Sequence, residues 1–114
     1  MMSYDKVTNL DYIQELAKGD MNFIKEMVNI FLEENPIEVQ TLGDAIEEKQ
    51  YEKIKSISHH MKSTIPFVGI DVHIGKELVD IEKLASESTG IEVIKTLYIN
   101  VKTVCEKAFN ELKK

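Results

Sequence analysis

His59 and His60 stand side by side in the stretch Ser58–Gly69, SHHMKSTIPFVG, with Lys62 three residues after the first histidine and Pro66 further on. A neutral imidazole nitrogen is a good nucleophile near neutral pH, and an ammonium one helical turn away offsets the charge of an arriving phosphoryl group. Small hydroxyl residues nearby let a second molecule approach in line. Phosphoryl transfer to and from a histidine asks little covalent machinery of the carrier when the partner supplies metal and positioning. The same few residues also describe an ordinary solvated helix face, so their meaning depends on the scaffold that holds them.

On a helix turning by about 100° per residue, placing Met61 at the centre of the apolar face puts His59 roughly 160° away, toward water. Ser63 and Pro66 fall close to the line of His59, and Lys62 sits beside it. His60 points to the flank, about 100° from Met61 on the side opposite Lys62 and near Phe67. One face therefore presents an imidazole, a cation within reach and a small side chain that leaves room above the ring.

The elements that must position this face are helical. Gly and Pro are scarce, and Leu, Ile, Lys and Glu recur at helical spacing, which predicts an all-α chain. A short helix over about 9–18 carries Leu10, Ile13 and Leu16 and stops at Gly19. Asp20 caps a long helix over about 20–48 with Ile24, Met27, Val28, Phe31, Val39, Leu42 and Ile46 on one stripe. Pro36 interrupts that stripe, so a kink or a break is expected there. A helix over about 50–68 buries Ile54, Ile57, Met61, Ile65 and Val68. Another, over about 70–86, buries Ile70, Ile74, Leu78, Ile81 and Leu84 or Ala85. The last, over about 90–112, opens on Thr89-Gly90-Ile91-Glu92, which fits a capping box, and runs through Ile94, Val101, Cys105, Ala108 and Leu112. Short connections make successive helices antiparallel neighbours, which predicts an up-down four-helix bundle with the short helix over one end.

Composition narrows the function. The chain has 114 residues, 30% of them charged, and a formal net charge of -6, so it suits a single domain and lacks the clustered cations of a nucleic-acid surface. The lone Cys105 makes no internal bridge and no CxxC pair, which points to a reducing, cytoplasmic setting. No apolar run approaches the ~20 residues of a membrane span, and MMSYDKVTNL has neither the basic nor the apolar region of a secretory signal. Nucleotide-binding loops of the GxxxxGK[ST] and GxGxxG types are absent.

The longer stretch resembles the histidine-phosphotransfer (HPt) family of two-component phosphorelays, whose motif reads approximately His-x-Leu-Lys-Gly-Ser with a glycine ten places after the histidine. Here His59, Met61, Lys62, Thr64 and Gly69 take the corresponding places. LDYIQELAKGDMNFIKEMVNIFLEENP is similar to the family's short helix, Gly-Asp junction and long second helix, so the likeness covers nearly the whole chain. Ser63 replaces the motif's glycine and adds bulk beside His59.

The resemblance implies a phosphorelay intermediate without autonomous kinase or hydrolase activity. His59 would accept a phosphoryl group from the aspartate of one response-regulator receiver domain and pass it to another, with a hybrid sensor kinase upstream. Lys62 would hold phosphoryl oxygens and Ser63 would border the site. No cofactor bound to this chain is expected, and Mg²⁺ would come with the receiver. His60, Pro66, Phe67, Ile37 and Gln40 are the further residues expected at the docking face: the level of His59 on the third helix faces Val39 and Gln40 on the second, and Ile37 and Phe67 are apolar residues off the main stripe, with packing of Phe67 into the bundle end and of Ile37 against the short first helix as the alternative readings. A helical adaptor that docks receivers without exchanging phosphate is the alternative. His59, His60 and His73 lack the i, i+4 pairing of a helical metal site, and Cys105 reads as a small core residue. The stripes are satisfied within one chain, so a monomer is expected.

Overall fold

In a computed structural model, described here for residues 6–113, the chain forms five α-helices and one 3₁₀ turn. The MMSYD start lies outside the described residues. The helices are α1 (Asp11–Ala17), α2 (Met21–Glu47), α3 (Tyr51–Thr64), α4 (Asp71–Ser86) and α5 (Ile91–Leu112), with the 3₁₀ turn Ile65–Val68 between α3 and α4. Among the described residues there is no strand, and no helix is long and apolar enough to cross a membrane.

Local chemistry sets the boundaries. The Asp20 carboxylate accepts from the backbone N–H groups of Asn22 and Phe23 at 3.0 and 3.1 Å, satisfying two of the orphan donors that open α2. α2 then runs unbroken for 27 residues, through Pro36. The helix tolerates the missing donor because its other turns remain bonded and Phe31, Val39 and Leu42 anchor it on both sides of the proline.

α3 ends four residues earlier than its apolar stripe predicts. Pro66 has no N–H to bond back to Lys62, so although Ile65 keeps helical dihedrals at φ -62° and ψ -27°, the chain tightens into the 3₁₀ turn. Gly69 then closes it at φ 77°, with Ile70 N–H donating to Ile65 C=O and Gly69 N–H to Pro66 C=O. A Cβ at Gly69 would also lie within 3 Å of the Asn9 backbone nitrogen, 2.8 Å away. Two other helices close with the same pair of bonds around a left-handed residue, α2 at Lys49 and α4 at Ser88. The closure at Ser88 overrides the expected capping box. Thr89 N–H donates back to Leu84 C=O, and the residue that opens α5 is Gly90, with no side-chain cap.

The four long helices are neighbours in sequence order, α2 on α3, α3 on α4 and α4 on α5, and the circuit closes between α5 and α2. Their stripes meet in one core that includes Leu42, Ile54, Met61, Ile74, Leu78, Ile81, Ile94 and Val101, all fully buried. Each such side chain contributes about 1.5–3 kcal/mol on leaving water. A smaller cluster of Ile13, Ala17 and Ile24 seats α1 on α2, with Phe67 packed against it. Leu16 is 47% exposed, contrary to its expected place in the stripe of α1. A two-turn helix has one narrow inner face, and Ile13 and Ala17 occupy it as an i, i+4 pair.

Candidate functional site

Met61 is fully buried, and this fixes the rotation of α3. Two residues earlier, His59 has 71% of its side chain exposed. The ring nevertheless has a fixed partner: Nδ1 lies 2.9 Å from Oε2 of Glu82, on α4. Lys62 reaches the same carboxylate from one turn along, with Nζ 2.6 Å from Oε1 as an ion pair. That oxygen is shielded from solvent, so the ammonium is its counter-charge. The Lys62 ammonium holds the Glu82 carboxyl below the usual carboxylate range, with His59 adding to the effect against the opposing pull of burial.

An ionised carboxylate can only accept a hydrogen bond. Nδ1 of His59 therefore carries the proton, and the lone pair of the neutral ring sits on Nε2, directed away from Glu82. His59 borders an open hollow of about 370 Å³ between α3 and α4, lined also by Glu52, Lys55, Ser56 and Glu82. An exposed nucleophilic nitrogen, a carboxylate behind the ring and an ammonium alongside can accept an electrophile that bears anionic oxygens.

His60 leaves α3 on the other side. Its Nδ1 pairs with Oε2 of Glu38 on α2, and the side chain is 55% exposed. Burial pushes the Glu38 carboxyl above its ordinary range, with nearby Glu34 adding to this and His60 opposing it. The sequence-level register is sound, since residues 38 and 60 meet where the turn at Lys49 and Gln50 would bring them. The side chain that reaches across from α3 is nonetheless His60, while His59 turns to α4.

The remaining expected site residues separate. Ser63 is exposed and turns its hydroxyl back onto His60 C=O at 2.7 Å. Thr64 likewise donates to Met61 C=O at 3.2 Å. Phe67 is half-buried, 6.1 Å from the Tyr12 ring, and with Glu38 and Thr64 borders a small cleft of about 60 Å³ between α2 and α3. Pro66 faces a broader hollow beside Asn9, Tyr12 and His73. Ile37 is 67% exposed. Gln40 donates to Asp44 at 3.0 Å and lines the α2–α5 side, away from both histidines.

Glu82 and Glu38 are the residues that motif reading missed. The register that places Glu38 opposite His60 puts Val79 opposite His59 when applied to the turn at Gly69, so it misses Glu82 by nearly one turn of α4. Among the described residues, no group of three or more His, Cys, Asp or Glu side chains is arranged to hold a metal ion. Comparison with known proteins finds no matching family model, no similar curated protein and no similar solved structure.

Proposed function

We propose that this chain is a histidine phosphotransfer protein built as an up-down four-helix bundle, in which His59 carries a phosphoryl group between the aspartates of two receiver domains. The observation that carries the proposal is the unit His59–Glu82–Lys62: an exposed imidazole whose Nδ1 is occupied by a carboxylate that a lysine keeps ionised.

The transfer balances without a further reactant. The Nε2 lone pair of His59 attacks the phosphorus of an aspartyl phosphate, the N–P bond forms, and the P–O bond to the aspartate breaks with its electron pair leaving on the carboxylate. The ring becomes cationic while keeping its Nδ1 proton, and the Glu82 carboxylate stabilises that charge. Lys62 swings from Glu82 toward the phosphoryl oxygens, where a charge-assisted hydrogen bond contributes about 1.5–3 kcal/mol. Return to a second aspartate is the reverse sequence. Mg²⁺ would enter with the receiver, whose own acidic pocket would hold it.

The back-bonded hydroxyl of Ser63 supports the same reading, because it keeps the serine compact where the family motif has glycine. Incubation with a phosphorylated receiver domain tests the proposal. Label on this chain should be acid-labile and base-stable, should survive His60→Gln and should vanish in His59→Gln. Absence of label on the folded wild-type protein with several active receivers, or label undiminished in His59→Gln, would overturn it.

A further inference from the structure

A second cation borders His59 from the other end of the ring. Lys55 precedes the histidine by one helical turn and is exposed, and with Glu52, Ser56, His59 and Glu82 it lines the open hollow of about 370 Å³ between α3 and α4. At 100° per residue, Lys55 falls roughly 40° from His59 around α3, on the same side as Lys62, which falls roughly 60° away. Lys62 lies one turn after the ring and Lys55 one turn before it. The two lysines therefore bracket the imidazole along the helix, each with its Cβ about 5–6 Å from that of His59.

They differ in what they already hold. Lys62 is the counter-charge of the solvent-shielded Oε1 of Glu82, and moving it to a phosphoryl group uncovers an oxygen that is costly to leave unpaired. Among the described residues the ion pairs are His59–Glu82, His60–Glu38, Lys62–Glu82 and Lys95–Glu92, and Lys55 enters none of them. Lys55 can thus meet an anion without giving up a partner. A protein-bound phosphoryl group brings a charge of about -1.5 to -2 and three acceptor oxygens, more than one ammonium neutralises.

Resting on the phosphocarrier function proposed above, we infer that Lys55 is a second phosphoryl-binding residue: with a phosphoryl group on Nε2 of His59, the Lys55 ammonium donates to its oxygens from the α3–α4 hollow, one turn away from the ring on the side opposite Lys62. The contact adds hydrogen bonds and leaves the bonds made and broken in transfer unchanged. Lys55 lies before the family motif, which begins at the histidine, so motif reading passes over it.

Phosphoramidate, a small phosphoryl donor, tests the contact without any receiver. In a His60→Gln, His73→Gln background His59 is the one histidine left in the chain, and its phosphorus resonance can be followed against pH. A cation at the phosphoryl oxygens favours the dianion, so Lys55→Gln should raise the midpoint of that titration by about 0.5 pH unit, the scale of one exposed charge pair, and Lys55→Arg should restore it. Lysine and glutamine have similar helix propensities, so the exposed substitution keeps the fold. Lys53→Gln removes the same charge from the α2 side of α3 and should leave the midpoint in place. A midpoint unmoved in Lys55→Gln, a midpoint moved equally by Lys53→Gln, or failure of phosphoramidate to load His59 in the folded protein would each overturn the inference. A midpoint that moves as expected, in a protein that accepts no label from any active receiver, would support the Lys55 contact and reject the relay function instead.

Discussion

His59 and His60 are adjacent on α3, yet they leave it toward different helices and meet opposite electrostatics. His59 meets a carboxylate on α4 that a lysine holds ionised, so one cation and one anion flank the ring. His60 meets a carboxylate on α2 that burial pushes toward neutrality, with Glu34 near and no lysine in the pair. Under the proposed function, an incoming phosphoryl group would find a lysine beside the first ring and none in the pair at the second. A histidine's chemistry is thus set by the helix it turns to as much as by its neighbours in sequence.

The comparison breaks most sharply at the rings themselves. His59→Gln should abolish transfer from a phosphorylated receiver, whereas His60→Gln should leave its rate within a few-fold, measured by label on this chain. Equal losses would erase the distinction. Next in size is Lys62→Ala, expected to slow transfer by about 10- to 100-fold, the range that one charge-assisted hydrogen bond represents, with partial recovery in Lys62→Arg. Glu82→Gln should have a smaller effect on rate, about tenfold, and a distinct signature. Long-range proton–nitrogen spectra of the wild type should show the His59 proton on Nδ1, and the variant should lose that preference.

The two carboxylates should also give stability profiles of opposite sign. Glu82 has a folded-state pKa below its ordinary 4.5, so its ionised form adds stability that is complete above 4.5 and is lost as pH falls through the lower folded value. The stability deficit of Glu82→Gln, read from thermal unfolding, should therefore shrink on acidification through that window. Glu38 has a folded-state pKa above 4.5, so its ionised form subtracts stability, and the penalty is relieved as pH falls through the raised value toward 4.5. Glu38→Gln should be more stable than the wild type at neutral pH and lose that advantage over the same descent. Smallest of all, Ser63→Gly should keep transfer within a few-fold and lower stability by about 0.5–1 kcal/mol, the cost of glycine within a helix.

Much of the scaffold was legible because its signals are local and periodic. The Asp20 cap, the stripes through Ile54–Met61 and Ile74–Leu78–Ile81, and the exposure of His59 all follow from residue type and a 100° step. The errors arose where two local signals compete for one turn. Thr89 could cap α5 or help close α4, and the closing bonds to Leu84 and Ala85 prevailed. Pro66 falls inside the span expected for α3, on the face opposite the apolar stripe, and its missing donor outweighs the apolar pattern. The site was half legible. Lys62 lies within one turn of His59, so spacing finds it, whereas Glu82 lies 23 residues away and enters only through the packing of α4 on α3. Leu16 misled because a stripe of three residues does not define the inner face of a two-turn helix.

At the far end of α5, the Glu111 carboxylate accepts from the backbone N–H groups of Val7 and Thr8 at 2.9 and 3.0 Å and from the Thr8 hydroxyl at 2.6 Å. Positions 7 and 111 are therefore spatial neighbours, a geometry that suits circular permutation. A chain joined there by a short linker and reopened between Lys18 and Gly19, an exposed turn where Gly19 has open space around its Cα, would keep α2 through α5 contiguous. Such a rewired molecule should fold with the same histidine surroundings, and its new ends would offer attachment points for reporters that leave both faces of α3 uncovered.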